Sequence, residues 1–358
     1  MTRLVTFILA LCALASASVA RAPKIIYPGV IPNRAFVFPA DHGAHPEFRT
    51  EWWYVTGAVK TAKGKELGFQ ITFFRTRPSV SLQNPSKFAP RQILFAHAAV
   101  SDPSVGKLLH DQRAARAGFG IASAKVGDAD VRIKDWRLVR LSDGRFSAKI
   151  KAQRFTLNLV FTPRQMPLLQ GENGYSRKGP NPRSASYYYS IPQMATAGTI
   201  TRGKSVETVT GRSWLDREWS SRYLGGAAVG WDWTGLNFDD GSALMAFRIR
   251  GKGGKAIWAG GTFRRANGAT VTLKPADVQF TPTRIWRSKR TGATYPVSQV
   301  LTIRLPEETK RLTLTPMFAD QELDARSSGL PVYWEGLVRT QQGRGYLELT
   351  GYAAPLDM

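Results

Sequence analysis

Alternation of apolar and polar residues restricts this chain more than any other feature. Leu67, Phe69, Ile71 and Phe73 interleave with Gln70, Thr72 and Phe74, and a period of two sends neighbours to opposite faces of a strand. The first set forms a core face. The second is mixed enough to line a cavity. The same pattern sets Phe146, Ala148 and Ile150 against Ser147, Lys149 and Lys151, as in a sheet with one wet face. Residues 51–59 and 66–75 flank Lys63-Gly64-Lys65 as a hairpin, and further strand-like runs cover 93–100, 131–138, 155–161, 205–211, 257–263, 300–305, 331–339 and 346–352. Helical periodicity is nearly absent. Its clearest window, 108–118, reads as a single connecting turn.

The predicted class is therefore all-β, and length argues for two domains. Residues 1–20 have the form of an export signal: Arg3, an apolar run from Leu4 to Leu14, and the small-x-small site Ser18-Val19-Ala20. Cleavage there would remove Cys12, the only cysteine, so the mature chain would carry no disulfide, as suits a periplasmic or secreted protein of a bacterial envelope. What remains exceeds the usual size of one core. Pro23, Pro28, Pro32 and Pro39 impose an extended lead-in. Trp53-x-x-Thr56-Gly57 is echoed by Trp231-x-x-Thr234-Gly235, each followed by a glycine turn and a strand ending in Arg75 or Arg248. Such an echo suggests tandem antiparallel barrels or sandwiches, divided as 21–200 and 201–358. Trp53 and Trp231 would then plug the two barrels.

The formal charge of +24 is spread along the chain. It favours an anionic membrane surface or a membrane export complex as partner; no zinc-finger spacing or basic helix points to nucleic acid. Neither a Gly-x-Ser-x-Gly elbow nor a glycine-rich phosphate loop is present, so serine-esterase and nucleotide chemistry lack support, and no cofactor is implied.

Two stretches carry chemically capable residues. Asp41 to Gly57 holds two of the four histidines, His42 and His45, with Asp41, Glu47 and Glu51 and the aromatics Trp52, Trp53 and Tyr54. A metal reading of Asp41, His42 and His45 lacks a clear third histidine, with His97 and His110 the only others, and no metal is assigned. In the second stretch, Gly211 to Ser221, strand geometry puts Trp214, Asp216 and Glu218 on one face. An aromatic neighbour and a second carboxylate both raise the pKa of an acid. The competing account is a surface Asp and Glu paired with Arg212 or Arg217. Trp52, Tyr54 and Trp334 are expected in cavity walls. Glu335 and Glu348 are expected as cavity carboxylates or as members of buried ion pairs.

Residues 41–54, 213–220, 333–336 and 345–352 together resemble the carotenoid 1,2-hydratase superfamily, most closely its secreted AttH-like branch. The resemblance covers almost the entire mature chain. It implies two tandem lipocalin-like β-barrel domains with a ligand cavity, and an acid that protonates an isolated double bond before water captures the cation. Asp216 matches that acid, followed by Arg217 where the hydratases are expected to carry His. His45 or Glu51 would orient water, and Trp214, Trp219 and the Tyr187 to Tyr189 cluster would supply the aromatic face. His42, Gln70, His97, Tyr188, Glu218 and Tyr346 complete the candidate ligand contacts. The first functional expectation is binding of an apolar lipid or isoprenoid-like molecule; the second is hydratase or hydrolase chemistry through Asp216; the third is a role as partner of a membrane export complex.

Overall fold

The computed structural model describes residues 25–81 and 84–356; the predicted export signal lies outside them. Residues 25–49 form an irregular lead-in with one 3-10 turn, Ala40–His42, and its Val30, Ala44 and Phe48 pack onto the end of the first barrel.

That barrel contains β1 (Thr50–Thr61), β2 (Glu66–Thr76), β3 (Ile93–Ser101), β4 (Leu109–Arg116), β5 (Ala122–Ala124), β6 (Asp130–Ile133), β7 (Trp136–Arg140), β8 (Phe146–Lys151) and β9 (Phe155–Thr162). The short β10 (Leu168–Leu169) and β11 (Tyr175–Arg177) precede the long hairpin of β12 (Ala185–Arg202) and β13 (Ser205–Arg222). The strand order is β4-β3-β2-β1-β13-β12-β9-β8-β7-β6-β5, antiparallel throughout, and the sheet curls until β3 and β4 meet β6. Its interior is filled by Trp53, Val55, Phe69, Ile71, Phe73, Trp136 and Phe161.

The second sheet comprises β14 (Ala228–Phe238), β15 (Ala243–Gly251), β16 (Ala256–Arg264), β17 (Thr270–Leu273), β18 (Val278–Arg287), β19 (Thr294–Arg304), β20 (Thr309–Pro316), β21 (Glu322–Asp324), β22 (Val332–Thr340) and β23 (Gly343–Leu349). It runs β17-β16-β15-β14-β23-β22-β20-β19-β18 and curls until β18 touches β15 and β16. Leu236, Leu244, Tyr295, Leu301, Leu314, Trp334 and Leu347 fill it. The architecture is thus two antiparallel, lipocalin-like barrels, and among the described residues there is no α-helix.

Several boundaries differ from the sequence reading. The first sheet extends through Arg222, so the passage between barrels falls at 223–227 and not at 200. The expected division at 200/201 falls next to a tight hairpin turn, with Arg202 paired to Ser205 and Gly203 at φ 57. The window 108–118 holds strand β4, because pairing along β3 outweighs a local pattern blurred by half-buried polar side chains. The run 131–138 folds back on itself as β6 and β7, with Lys134 at φ 54 in the turn.

The repeat exists, in a different register. Trp53 lies inside the first barrel, whereas Trp231 packs outside the second among the residues between the barrels. The true counterparts are Glu51, directly opposite Arg75, and Asp232, directly opposite Arg248. Glu51 is fully buried and paired with both Arg75 and Arg217. Asp232 is likewise clamped by Arg248 at 2.7 Å and Arg250 at 2.8 Å. Each barrel therefore closes over a buried carboxylate between two guanidinium groups.

Removing one partner of such a cluster leaves uncompensated buried charge, at a cost of about 3–5 kcal/mol. Glu51→Gln should lower the stability of the first barrel by that amount in chemical denaturation. A transition at the wild-type denaturant concentration would contradict the assignment.

Candidate functional site

A cavity of about 390 Å³ lies between the outer faces of the two barrels. The sequence reading sought a ligand space within lipocalin-like domains, but the barrel interiors are packed with side chains. Strands β1, β2, β3 and β13 give one wall, and β14, β15, β22 and β23 give the other.

Register arranges the first wall in cross-strand rows. Ser190, Asp216, Tyr54, Thr72 and His97 stand opposite one another across β12, β13, β1, β2 and β3. With neighbouring strands about 4.8 Å apart, Asp216 and His97 mark positions roughly 14 Å from each other. The next row is Glu218, Trp52, Phe74 and Phe95. On the facing wall, Glu335, Glu348, Trp233 and Phe247 form another row.

Asp216 is buried and accepts three hydrogen bonds: from Ser190 Oγ at 2.5 Å, Trp214 Nε1 at 2.7 Å and the Tyr188 hydroxyl at 2.7 Å. Two of these donors are themselves oriented, Ser190 by Gln170 Nε2 at 2.7 Å and Tyr188 by Trp233 Nε1 at 3.0 Å. Burial nevertheless raises the Asp216 pKa to about 7, against these donors and with added repulsion from Glu218. Since all three neighbours donate, a proton on Asp216 finds no acceptor among them, and the cavity is where it can be delivered. The donors also stabilise the carboxylate left behind.

Glu218 is held by Ser186 Oγ and by Lys178 Nζ at 2.8 Å. Lys178 also lies over the Tyr188 and Phe247 rings. Glu348 keeps some surface open to the cavity and accepts a bond from Trp231 Nε1 at 3.0 Å. Burial raises its pKa to about 7 against that bond, and Asp216 and Glu218 add repulsion. Glu335, at 1% exposure, is raised well above the ordinary carboxyl range, first by burial and then by Glu348. Tyr54 lies beside Glu335 without a well-formed hydrogen bond to it.

At the far end, Gln70 Nε2 donates to the Tyr333 hydroxyl at 3.1 Å, and that hydroxyl lies 2.8 Å from His97 Nδ1. Burial lowers the His97 pKa to about 3, so the ring is neutral. In this arrangement Tyr333 donates to Nδ1 and the ring proton sits on Nε2. That nitrogen has no partner among the described residues and can donate to a ligand oxygen.

The cavity therefore gathers Trp52, Tyr54, Gln70, His97, Tyr188, Asp216, Glu218, Glu335 and Glu348 from the predicted set. Trp214 supports Asp216 from the side and, with Tyr346, faces a second hollow of about 310 Å³. Four expectations fall on the other face of the first sheet. Glu51 belongs to the arginine cluster, and His45 stacks on Trp219 at 3.8 Å while its Nε2 meets Asp41 at 3.0 Å. His42 bonds the Tyr189 hydroxyl at 2.6 Å, and Trp219 is fully buried in the first barrel. Side-chain alternation separates them all from Asp216: Glu51, Trp53, Arg217 and Trp219 face inward where Trp52, Tyr54, Asp216 and Glu218 face the cavity. Trp334 is likewise inside the second barrel, its Nε1 donating to the Ala319 carbonyl at 2.7 Å. Arg217, the departure from the expected His, reaches Glu51 and the His42, Gly43 and Trp52 carbonyls, away from the cavity.

Sequence reasoning missed Lys178, Tyr223, Trp233, Phe247 and Tyr333. Tyr333 and Trp233 could have been found by alternation from Glu335 and Trp231. Lys178 had only a weak signal, its place in a long irregular segment.

The AttH-like family model matches residues 29–352. A search of curated proteins finds no match. A solved structure of a protein assigned as an AttH from Nitrosomonas europaea is 52% identical, covers 91% of this chain and 99% of its own, and superposes with a TM-score of 0.85. Kievitone hydratase from Nectria haematococca shares the fold at 16% identity and a TM-score of 0.66, over 92% of this chain and 97% of its own. CghA with Sch210972 does so at 14% identity and 0.52, over 84% and 88%. With nearly all of its described residues matched by one family model and half of its residues shared with a solved AttH, this chain belongs to the AttH-like family.

Proposed function

We propose that the protein is an exported acid–base enzyme of the hydratase type, acting on an isolated carbon–carbon double bond of a largely apolar molecule held between the barrels. One observation carries this reading: Asp216 is a buried acid with pKa about 7, surrounded by donors only and opening on an aromatic cavity. In the proposed step the Asp216 proton forms a C–H bond with the alkene π pair, leaving a cation on the neighbouring carbon. Water adds there, and its surplus proton returns to the Asp216 carboxylate. An alkene is a weak base, so the step needs an acid still protonated near neutral pH and a face that tolerates positive charge.

A second reading, carriage of an apolar lipid or isoprenoid without chemistry, is favoured by Phe74, Phe95, Phe247, Ile249, Leu330 and Leu356 in the walls. The signal-like segment at 1–20 supports placement in the bacterial envelope, and the charge of +24 supports contact with anionic lipid or an export complex.

Apolar compounds extracted from the purified protein and returned to it in heavy-oxygen water should gain one labelled water. Asp216→Asn should retain the ligand but lose about 10²–10⁴-fold in rate. Wild-type turnover by the variant would remove Asp216 from the mechanism; bound ligand that is never converted would favour carriage.

Titration gives an independent check. With its folded pKa raised from 3.8 to about 7, Asp216 keeps its proton in the native state while the unfolded chain loses it, so its contribution to stability declines as pH rises through that window. Buried His42 and His97, lowered to about 3, act in the opposite sense below pH 6.5, so the wild-type curve alone is uninformative. The difference is clean: Asp216→Asn should gain stability relative to wild type between pH 4 and 7, by on the order of 4 kcal/mol, then level off. A pH-independent difference in denaturation midpoints would refute the raised pKa.

A further inference from the structure

Glu335 and Glu348 stand directly opposite each other on β22 and β23, in a cavity whose only lining lysine or arginine residues, among the described residues, are Arg49 and Lys178. Lys178 is engaged by Glu218 and Ser176. Among the described residues no lysine or arginine pairs with Glu335 or Glu348. Like charges facing each other across a strand pair oppose folding, and this couple is retained in a chain with 50 basic residues and 26 acidic ones. A second observation also points to a ligand. Glu335 Oε1 and the Tyr54 hydroxyl, both more than nine-tenths buried and both on the cavity, lie beside each other, yet neither makes a well-formed hydrogen bond among the described residues. Orphaned buried polar atoms of this kind require an explanation, since pairing is the rule.

We propose that Glu335 and Glu348 form a cation station in the cavity, one that binds the protonated nitrogen of an amine-bearing apolar ligand. If the hydration reading above holds, the same station faces the positive charge that develops on substrate carbon. The aromatic surroundings fit this role: Trp231 holds Glu348, and Trp233, Tyr54 and Tyr333 complete the nearby walls. The titratable groups around the couple are Tyr54 from β1, Tyr333 from β22, Tyr346 from β23, and Asp216 and Glu218 from β13. All are neutral or acidic, and the cavity lysine, Lys178, is engaged by Glu218 and not by the couple. Burial and mutual repulsion favour protons on the couple, and an entering ammonium would displace a proton from it.

The test uses N,N-dimethyldodecylamine and 1-dodecanol below their aggregation limits, followed by calorimetry and by fluorescence of the cavity tryptophans. The amine should bind the wild-type protein about 10-fold or more tightly than the alcohol, with proton release seen as a buffer-dependent heat. In Glu335→Gln/Glu348→Gln that advantage should vanish while alcohol affinity stays within about 3-fold. It should survive Asp216→Asn. Equal affinities in the wild type, or an advantage that persists in the double variant or disappears in Asp216→Asn, would overturn the station and leave the cavity reading standing. Binding of neither probe would overturn the cavity reading as well. The proton-release measurement needs no variant, so a misfolded double substitution would not protect the proposal.

Discussion

Strands β1 and β13 are buried on both faces, and the rest of the molecule depends on that constraint. One face of the pair closes the first barrel and the other forms a cavity wall. A slip of one residue would exchange every side chain between them. Asp216 would enter the barrel and Arg217 the cavity. The arginine cluster opposes that exchange: Arg217 reaches Glu51 on β1, lies 3.9 Å over the Trp53 ring and bonds carbonyls of the lead-in. Arg75 holds the same carboxylate from β2 and also bonds the His45 and Phe48 carbonyls. Polar groups that do no chemistry thus fix the register in which the acid faces the ligand space.

That division explains what could be read in the sequence and what could not. Alternation in β2 separated Phe69, Ile71 and Phe73 from Gln70, Thr72 and Phe74 correctly, because one face is uniformly apolar. The same rule put Trp214, Asp216 and Glu218 together. Trp219, Glu51 and His45 are chemically capable, but capability does not encode a face. The Trp53 and Trp231 echo failed for a related reason. Matching large aromatics ignored parity, while Glu51 with Arg75 and Asp232 with Arg248 held the repeat in positions that barrels can share. The partner wall was hardest to foresee, since contacts between Asp216 and Trp233 through Tyr188 join positions on separate barrels.

The placement of charge follows from a competition that can be ordered. A positive chain should favour carboxylates over carboxylic acids, yet Asp216 and Glu348 are raised to about 7. Desolvation between two barrels outweighs a dispersed, solvent-screened field because the surface charges act through water and the cavity does not. Where guanidinium groups do reach the carboxylate, at Glu51, the balance reverses and the acid is held well below its ordinary range despite full burial. A carboxyl group is thus a structural anion on one face of the sheet, at Glu51, and an acid with a pKa raised toward neutrality on the other, at Asp216, and the presence or absence of arginine decides which.

A site between barrels also separates two requirements that a barrel interior would combine. The donors that hold Asp216, namely Tyr188, Ser190 and Trp214, come from β12 and β13 of the first barrel. Trp231, Trp233, Glu335 and Glu348 come from the second. Substitutions on the second wall can reshape the space offered to a ligand without disturbing the bonds that aim the acid, except at Trp233, whose indole nitrogen bonds the Tyr188 hydroxyl. Trp233 is therefore the position where ligand fit and acid orientation are coupled, and a smaller residue there would be felt at Asp216 through Tyr188 even for a ligand that never touches the indole.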